Sequence, residues 1–190
     1  MSDPPTSRAI LEAAYRILLR SGTSGLKMAA VAREAHVDVT TVSYHFGTRY
    51  GLIEALMDRL YSGPTSEFAA AVRELPGPQE RSHAYFQSVR SMYSDPKATQ
   101  AYFEIQVLAL RDPALRARLA SLNNWIIHEF ADAIAPGQQG FDRARSELIF
   151  AAVDGIELHR AIAGDDYPVD DVLALLEKLV TPEQPSDPAE

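Results

Sequence analysis

The richest chemistry in the chain lies between residues 26 and 60, in the run LKMAAVAREAHVDVTTVSYHFGTRYGLIEALMDRL. Within it Thr40, Thr41, Ser43, Tyr44 and His45 stand close together with no carboxylate among them. Hydroxyls and an imidazole can donate to phosphate oxygens, and the methyls of threonine and valine can meet the thymine methyl in the major groove. An acid-free cluster of this kind suits a polyanion better than it suits bulk water.

Such a cluster works only if it is held on one face of a rigid element. Asp38 can cap a short helix through about Phe46, in which Val42, Phe46 and, in part, Val39 repeat at i+3 and i+4 as the buried side. A helix from about Lys27 to Ala35 precedes it, with Met28, Val31 and Ala32 inside, and the tight turn Ala35-His36-Val37 joins the two. Upstream, Ile10, Leu11, Ala14, Ile17 and Leu18 form an amphipathic stripe, with Thr6 or Ser7 as N-cap and Ser21-Gly22 as the stop. Downstream, Gly47-Thr48 breaks the chain, and a helix starting near Arg49 carries Leu52, Ile53, Leu56, Met57 and Leu60 on its apolar face.

The spacing over residues 7–60 resembles the DNA-binding signature of TetR-family regulators. Met28, Val31-Ala32, Ala35, Val37, Thr41-Val42, His45-Phe46 and Leu52 fall at the family's positions, and Arg49 stands where the family has a lysine. The resemblance implies an N-terminal helix-turn-helix whose second helix, Val39–Phe46, enters the major groove. By position, Val39, Thr40, Thr41 and Ser43 would face base edges, while Tyr44, His45, Arg49 and Lys27 would hold phosphates. Four features depart from the family pattern. His36 replaces the turn glycine, Leu26-Lys27 the threonine pair, Ser43 a tyrosine and Gly47 a lysine. An altered operator and weaker affinity are the expected consequences.

The remainder of the chain reads as helix. Patterns run over about 65–74, 79–94, 97–111, 114–134, 142–163 and 168–180. They are punctuated at Gly63-Pro64, Leu75-Pro76-Gly77-Pro78, Asp95-Pro96, Asp112-Pro113 and Ala135-Pro136-Gly137. No alternating run reads as a strand. The expected fold is all-α: a helix-turn-helix domain at 1–60, a helical ligand-binding and dimerisation domain at 61–180, and a disordered tail at 181–190.

In the larger part, aromatic and amphipathic side chains suggest a mostly apolar ligand pocket drawn from Tyr85, Phe86, Met92, Tyr102, Phe103, Gln106, Trp125 and His128. The alternative is ordinary core and surface. The last two helices offer Ile149, Ala152, Val153, Ile156, Val172, Leu176 and Leu179 as a dimer interface, a four-helix bundle of two helices from each subunit. The alternative is that these residues cover only their own domain's core. Dimerisation fits the DNA reading, because two recognition helices must reach grooves one turn apart on a pseudo-palindromic operator.

The net charge of −8 over 190 residues is unevenly placed. Residues 1–62 carry seven Lys/Arg and six Asp/Glu, so the acidity belongs to the rest of the chain. Cysteine is absent, which removes disulfides, thiolate metal sites and cysteine nucleophiles. No stretch is long and apolar enough for a membrane span, and Met1-Ser2-Asp3-Pro4-Pro5 does not start a signal peptide, so a cytoplasmic protein is expected. No nucleophile–base constellation, phosphate loop or dinucleotide glycine pattern is present. His128, Glu129 and Asp132 lack the second histidine of a zinc helix. The expected partners are a double-stranded DNA operator, a small-molecule inducer of unspecified class and a second copy of the chain, with no cofactor, no metal, no membrane and no enzymatic activity. A DNA-binding protein without a ligand, a small helical enzyme and an interaction module without DNA binding remain the rivals.

Overall fold

The computed structural model describes residues 5–92, 96–134 and 143–181, with backbone alone at 5, 62–65, 92 and 133. All regular structure among them is helical. In chain order the helices are α1 (Pro5–Ser21), α2 (Met28–Glu34), α3 (Val39–Phe46), α4 (Arg49–Arg73), α5 (Pro78–Met92), α6 (Pro96–Arg111), α7 (Pro113–Ile134), α8 (Arg143–Ala163) and α9 (Val169–Val180). Single 3-10 turns occupy Thr23–Gly25 and Gly164–Asp166. The expected breaks at Asp95 and Ala135–Gly137, and the tail beyond Thr181, lie outside the described residues.

The chain divides into two compact units. One comprises residues 1–65 with 95–126, so that α6 and the first part of α7 join the N-terminal helices; the other comprises 66–94 with 127–190. In the first unit α1 packs against α2, α3 and α6. Its apolar stripe (Ile10, Leu11, Ala14, Ile17 and Leu18) is buried, as are Val31, Val42, Leu52, Leu56 and Ile105. Burying a large aliphatic side chain stabilises by roughly 1.5–3 kcal/mol, which explains how helices as short as α2 and α3 persist. In the second unit α9 packs on α5 and α8 around Tyr85, Phe86, Val89, Ile149, Ile156 and Leu173.

Three local expectations are corrected. Helix α1 starts at Pro5, so Thr6 and Ser7 lie inside its first turn rather than capping it; Ser7 is buried. Asp38 does occupy the N-cap position of α3, in extended backbone, but its side chain makes no capping bond; its carbonyl accepts from Thr41 N–H and Val42 N–H. Helix α4 continues through Gly63 and Pro64, where the sequence suggests a break. An interior proline costs about 3 kcal/mol. The apolar stripe of α4 keeps helical spacing across the junction, from Leu52, Ile53, Leu56, Met57 and Tyr61 to Ala69 and Val72. Burial on either side of the junction outweighs the local signal.

Candidate nucleic-acid interface

The turn between α2 and α3 is a Schellman closure. Val37 N–H donates to Ala32 O at 3.0 Å and His36 N–H to Arg33 O at 3.2 Å, while His36 takes the left-handed conformation with φ 56°. Glycine is usual there because it has no Cβ to collide with the following carbonyl. Histidine fills the position here at a conformational cost. Gly47, with φ 67°, ends α3 by a different turn, its N–H donating to Ser43 O at 2.8 Å and Thr48 N–H to Phe46 O at 2.7 Å.

Between these two left-handed residues, α3 buries Val42 and leaves Thr40, Ser43 and Tyr44 exposed, with Thr41 and His45 half-buried. The Tyr44 ring is 86% exposed and meets the His45 ring edge-on at 5.3 Å. Val39 is 40% exposed at the leading end of the helix. A large aromatic side chain held out in water, beside hydroxyls and without an acid in α3, is a surface prepared for another polar polymer. Lys27 is exposed at the N-cap of α2, in extended backbone.

Arg49 is placed differently from the phosphate contact implied by the resemblance. Its Nε donates to Leu26 O and its Nη2 to Thr23 O, both at 2.7 Å. The guanidinium therefore ties the start of α4 to the loop that leads into α2. The same loop is held from its other side, since Thr23 N–H donates to Glu104 Oε2 at 2.7 Å. Gly22, with φ 63°, makes room for that carboxylate, because a Cβ there would sit 2.1 Å from Glu104 Oε2. Nothing in the sequence points to Glu104, whose partner is 81 residues away.

Further polar bonds close this unit. Asp112 caps α7 by accepting from Ala114 N–H at 3.0 Å and Leu115 N–H at 3.2 Å, and Tyr50 Oη donates to the same oxygen at 3.0 Å. The Leu115 N–H first, then the Tyr50 hydroxyl, hold the Asp112 carboxyl below its ordinary range. Burial, followed by the neighbouring Asp112, pushes the Tyr50 hydroxyl up to about 12. Glu34 is bridged by Arg16 and Arg20, which lower its pKa in that order.

The residues expected to line a ligand pocket divide between the units. Tyr102 and Phe103 meet in the first, with Tyr102 5.7 Å from the Tyr61 ring. Gln106 and Trp125 are half-buried there. In the second, Tyr85 and Phe86 are buried side by side, and Tyr85 stacks edge-on against Phe130 at 4.8 Å. Burial, then the charge of Asp154, raises the Tyr85 pKa. His128 is exposed, and the Met92 side chain lies outside the described residues. A narrow cleft of about 20 Å³ lies between Tyr85, Phe130, Ser146 and Phe150. Glu129 and Asp132, beside His128, both pair with Arg73, at 3.0 and 3.1 Å.

The residues expected at a dimer interface also separate. Ile149 and Ile156 are buried in the core of their own unit, and Val153, Val172 and Leu176 pack against it. Ala152 is half-buried, and Leu179 is exposed. The apolar face that α8 turns outward is one step round the helix: Leu148, Ala151, Leu158 and Ile162, with half-exposed Gly155 between them. Leu175 and Leu179 stand exposed on α9. Among the described residues no helix is long and apolar enough to cross a membrane.

Comparisons with known proteins agree with this architecture. Residues 10–56 match the family model for bacterial regulatory proteins of the tetR family, and residues 76–182 match that for the tetracyclin repressor-like C-terminal domain. The chain is 26% identical over 174 residues to the HTH-type transcriptional regulator BetI of Burkholderia thailandensis, covering 87% of each chain. A solved member of the TetR family from Streptomyces coelicolor A3, SCO1917, superposes with a TM-score of 0.75 at 24% identity, over 95% of this chain and all of that one. The multidrug binding protein EbrR, solved with proflavin, superposes with a TM-score of 0.65 at 25% identity, over 92% of this chain and 99% of that one. The hairpin with its outward hydroxyls and the helical body behind it thus match the family along most of their length, and the chain belongs to the TetR family of DNA-binding transcriptional regulators.

Proposed function

We propose that the protein is a homodimeric repressor that leaves a pseudo-palindromic operator when a small molecule binds. The observation that carries the DNA half is the outward face of α3, acid-free and led by exposed Val39 and Thr40. Val39, Thr40, Thr41 and Ser43 reach base edges; Lys27, Tyr44 and His45 take phosphates. Arg49 acts as a positioning residue, through the two carbonyls that it holds.

The outward stripe of α8 supports the dimer. Leu148, Ala151, Gly155, Leu158 and Ile162 follow steps of three and four, the spacing of helices that pack on a copy of themselves. The ligand enters between Tyr85 and Phe130. A drug-sized molecule needs a pocket of roughly 300 Å³ or more, against a cleft of about 20 Å³ here. Binding therefore requires a rearranged aromatic core, and a ligand that favours the rearranged state shifts the dimer away from the DNA-competent one. EbrR, solved with proflavin, makes a planar aromatic cation the first class to try.

The test is selection of duplexes from a random-sequence library by the full chain, followed by gel-shift titration. We expect two inverted half-sites about one helical turn apart, and binding weakened on the order of tenfold by Tyr44→Ala, consistent with loss of one phosphate hydrogen bond of about 1.5 kcal/mol. Absence of an enriched sequence, or equal binding by the variant, overturns the reading of α3. Proflavin should release the complex; a complex that persists at saturating proflavin removes that ligand class and leaves the DNA reading standing.

A further inference from the structure

We propose that the corner where α5, α8 and α9 meet is a binding site for a small zwitterion of the α-amino-acid type, with Arg90 taking the carboxylate and Asp165 the ammonium. All of it lies in the second unit. It shares no lining residue with the cleft between Tyr85 and Phe130. From Phe150 in that cleft to Arg160 here is roughly 15 Å along α8, so the two sites are independent.

A concavity of about 350 Å³, within the size range of small-molecule sites, is lined by Arg90, Arg160, Asp165, Tyr167, Val169 and Asp170. Arg90 and Arg160 stand in the last turns of α5 and α8, where the helix dipole favours a cation. Asp170 stands in the first turn of α9, where it favours an anion. Gly164, with φ 67°, turns the chain at the end of α8, and the 3-10 turn that follows brings Asp165 into the lining. The rules of helix ends thus collect two guanidinium groups and two carboxylates around one space. A simple anion or cation would meet a like charge there, whereas a zwitterion meets a partner at each end.

Arg90 is the group that most needs a ligand. Its side chain is only 22% exposed, yet its ion pairs are long: Nε to Asp170 Oδ1 at 3.4 Å and Nη2 to Glu177 Oε2 at 3.9 Å. A charge-assisted hydrogen bond is about 2.7–2.9 Å. Glu177 is held closer by His83, at 2.9 Å, and Asp170 is 83% exposed to water. Among the described residues Arg90 makes no hydrogen bond. A mostly buried guanidinium with unmet donors is costly, and its planar fork matches a carboxylate. Asp165 is exposed and makes no hydrogen bond or ion pair among the described residues, which leaves its carboxylate for the ammonium. Half-buried Tyr167 and Val169 give the ligand's side chain an apolar wall. Arg160 sits about 200° round α8 from Leu158 and Ile162, so the pocket faces away from the outward stripe and stays open in a homodimer built on it.

Binding is tested on the full chain. Each proteinogenic amino acid is offered singly, at millimolar concentration, in ligand-observed NMR. The tightest binder is then compared by calorimetry with its N-acetyl derivative, which lacks the ammonium, and its carboxamide, which lacks the carboxylate. We expect both derivatives to bind at least about tenfold more weakly, since each leaves charged groups of the pocket unmatched. Arg90→Gln should weaken the free amino acid about tenfold. Asp165→Asn, at an exposed turn, should weaken it about threefold and leave the N-acetyl derivative unchanged. A circular-dichroism melt checks that both variants fold; if Arg90→Gln loosens α9, Asp165→Asn carries the test. No binding of any amino acid by wild type overturns the proposal. So does an N-acetyl derivative that binds as tightly as its parent, which would mark an anion site only. Full-strength binding by both variants would put the ligand elsewhere and also overturns it. DNA binding and release by proflavin do not enter these measurements, so the function proposed above survives each of those outcomes.

Discussion

Helices α3 and α8 both turn unpartnered side chains outward, and the two faces are chemical opposites. On α3 the exposed set is mainly hydroxyl and aromatic: Thr40, Ser43 and Tyr44, with Val39 at the leading end. On α8 one outward stripe is hydrocarbon, with Leu148 at 64% exposure and Ile162 at 75%. A hydroxyl face loses little by staying in water and can exchange its water for phosphate oxygens. A row of leucine and isoleucine is costly in water, at roughly 25 cal/mol for each Å² left uncovered. The first face therefore awaits a hydrated polyanion, and the second a surface as apolar as itself. Exposure alone does not distinguish a binding face; its chemistry does.

The comparison can be broken most sharply within α8, by changing one side and then the other. Ile156→Ala removes a buried side chain from the core and should cost about 2–5 kcal/mol of folding stability, read in a denaturant titration. Leu148→Asp together with Ile162→Asp should leave that titration of the monomer almost unchanged and shift the chain from dimer to monomer in sedimentation equilibrium. A double variant that stays dimeric would remove the outward stripe as the subunit interface.

A smaller effect sharpens the α3 side. His36→Gly relieves the left-handed strain at the head of the recognition hairpin, offset in part by the greater freedom of glycine in the unfolded chain. The net gain should be about 0.5–1 kcal/mol in thermal unfolding. A loss of stability would mean that the His36 ring makes a contribution larger than its backbone cost.

The smallest effect concerns what supports each helix. The unit bearing α3 is closed by carboxylates, and Asp112 is depressed below its ordinary range by the Leu115 N–H and the Tyr50 hydroxyl. A depressed carboxylate contributes stability at neutral pH, and that contribution fades as pH falls below about 4 toward the native value. Asp112→Asn should therefore lie below wild type in melting temperature at neutral pH and converge with it in acid. Parallel curves down to pH 3 or so, below the ordinary carboxylate range, would show that the cap acts through shape and not through charge.

Much of this was legible in the residues, for physical reasons that differ by region. The hairpin could be read because its spacing is enforced locally: Val31, Ala32, Val42 and Phe46 must fall on one side, and Gly22 and Gly47 mark turns with positive φ. The end of α6 and the start of α7 follow from Asp112-Pro113, since proline suits a first helical turn. Helix α8 was harder. It is apolar on two sides, and periodicity finds both stripes without saying which meets its own core; Ile149 and Ile156 turn inward and Leu148 and Ile162 outward. The continuity of α4 was hidden because Gly63-Pro64 is a strong local signal, overruled by burial on either side of it. Arg49 matched a family position by type, yet its guanidinium is bound to backbone carbonyls, a contact with no trace in spacing.

The grip on the Thr23 peptide, by Glu104 on its N–H and Arg49 on its carbonyl, bears on how the chain is made. Arg49 leaves the ribosome 26 residues after its partner, whereas Glu104 emerges 81 residues after the same peptide. The hairpin can thus assemble early from nearby contacts while the loop feeding it is secured from one side only. The second hold closes once α6 has been synthesised, because a contact so distant in sequence must wait for its chain. During synthesis the reading head of this regulator exists before the fixture that sets its seat.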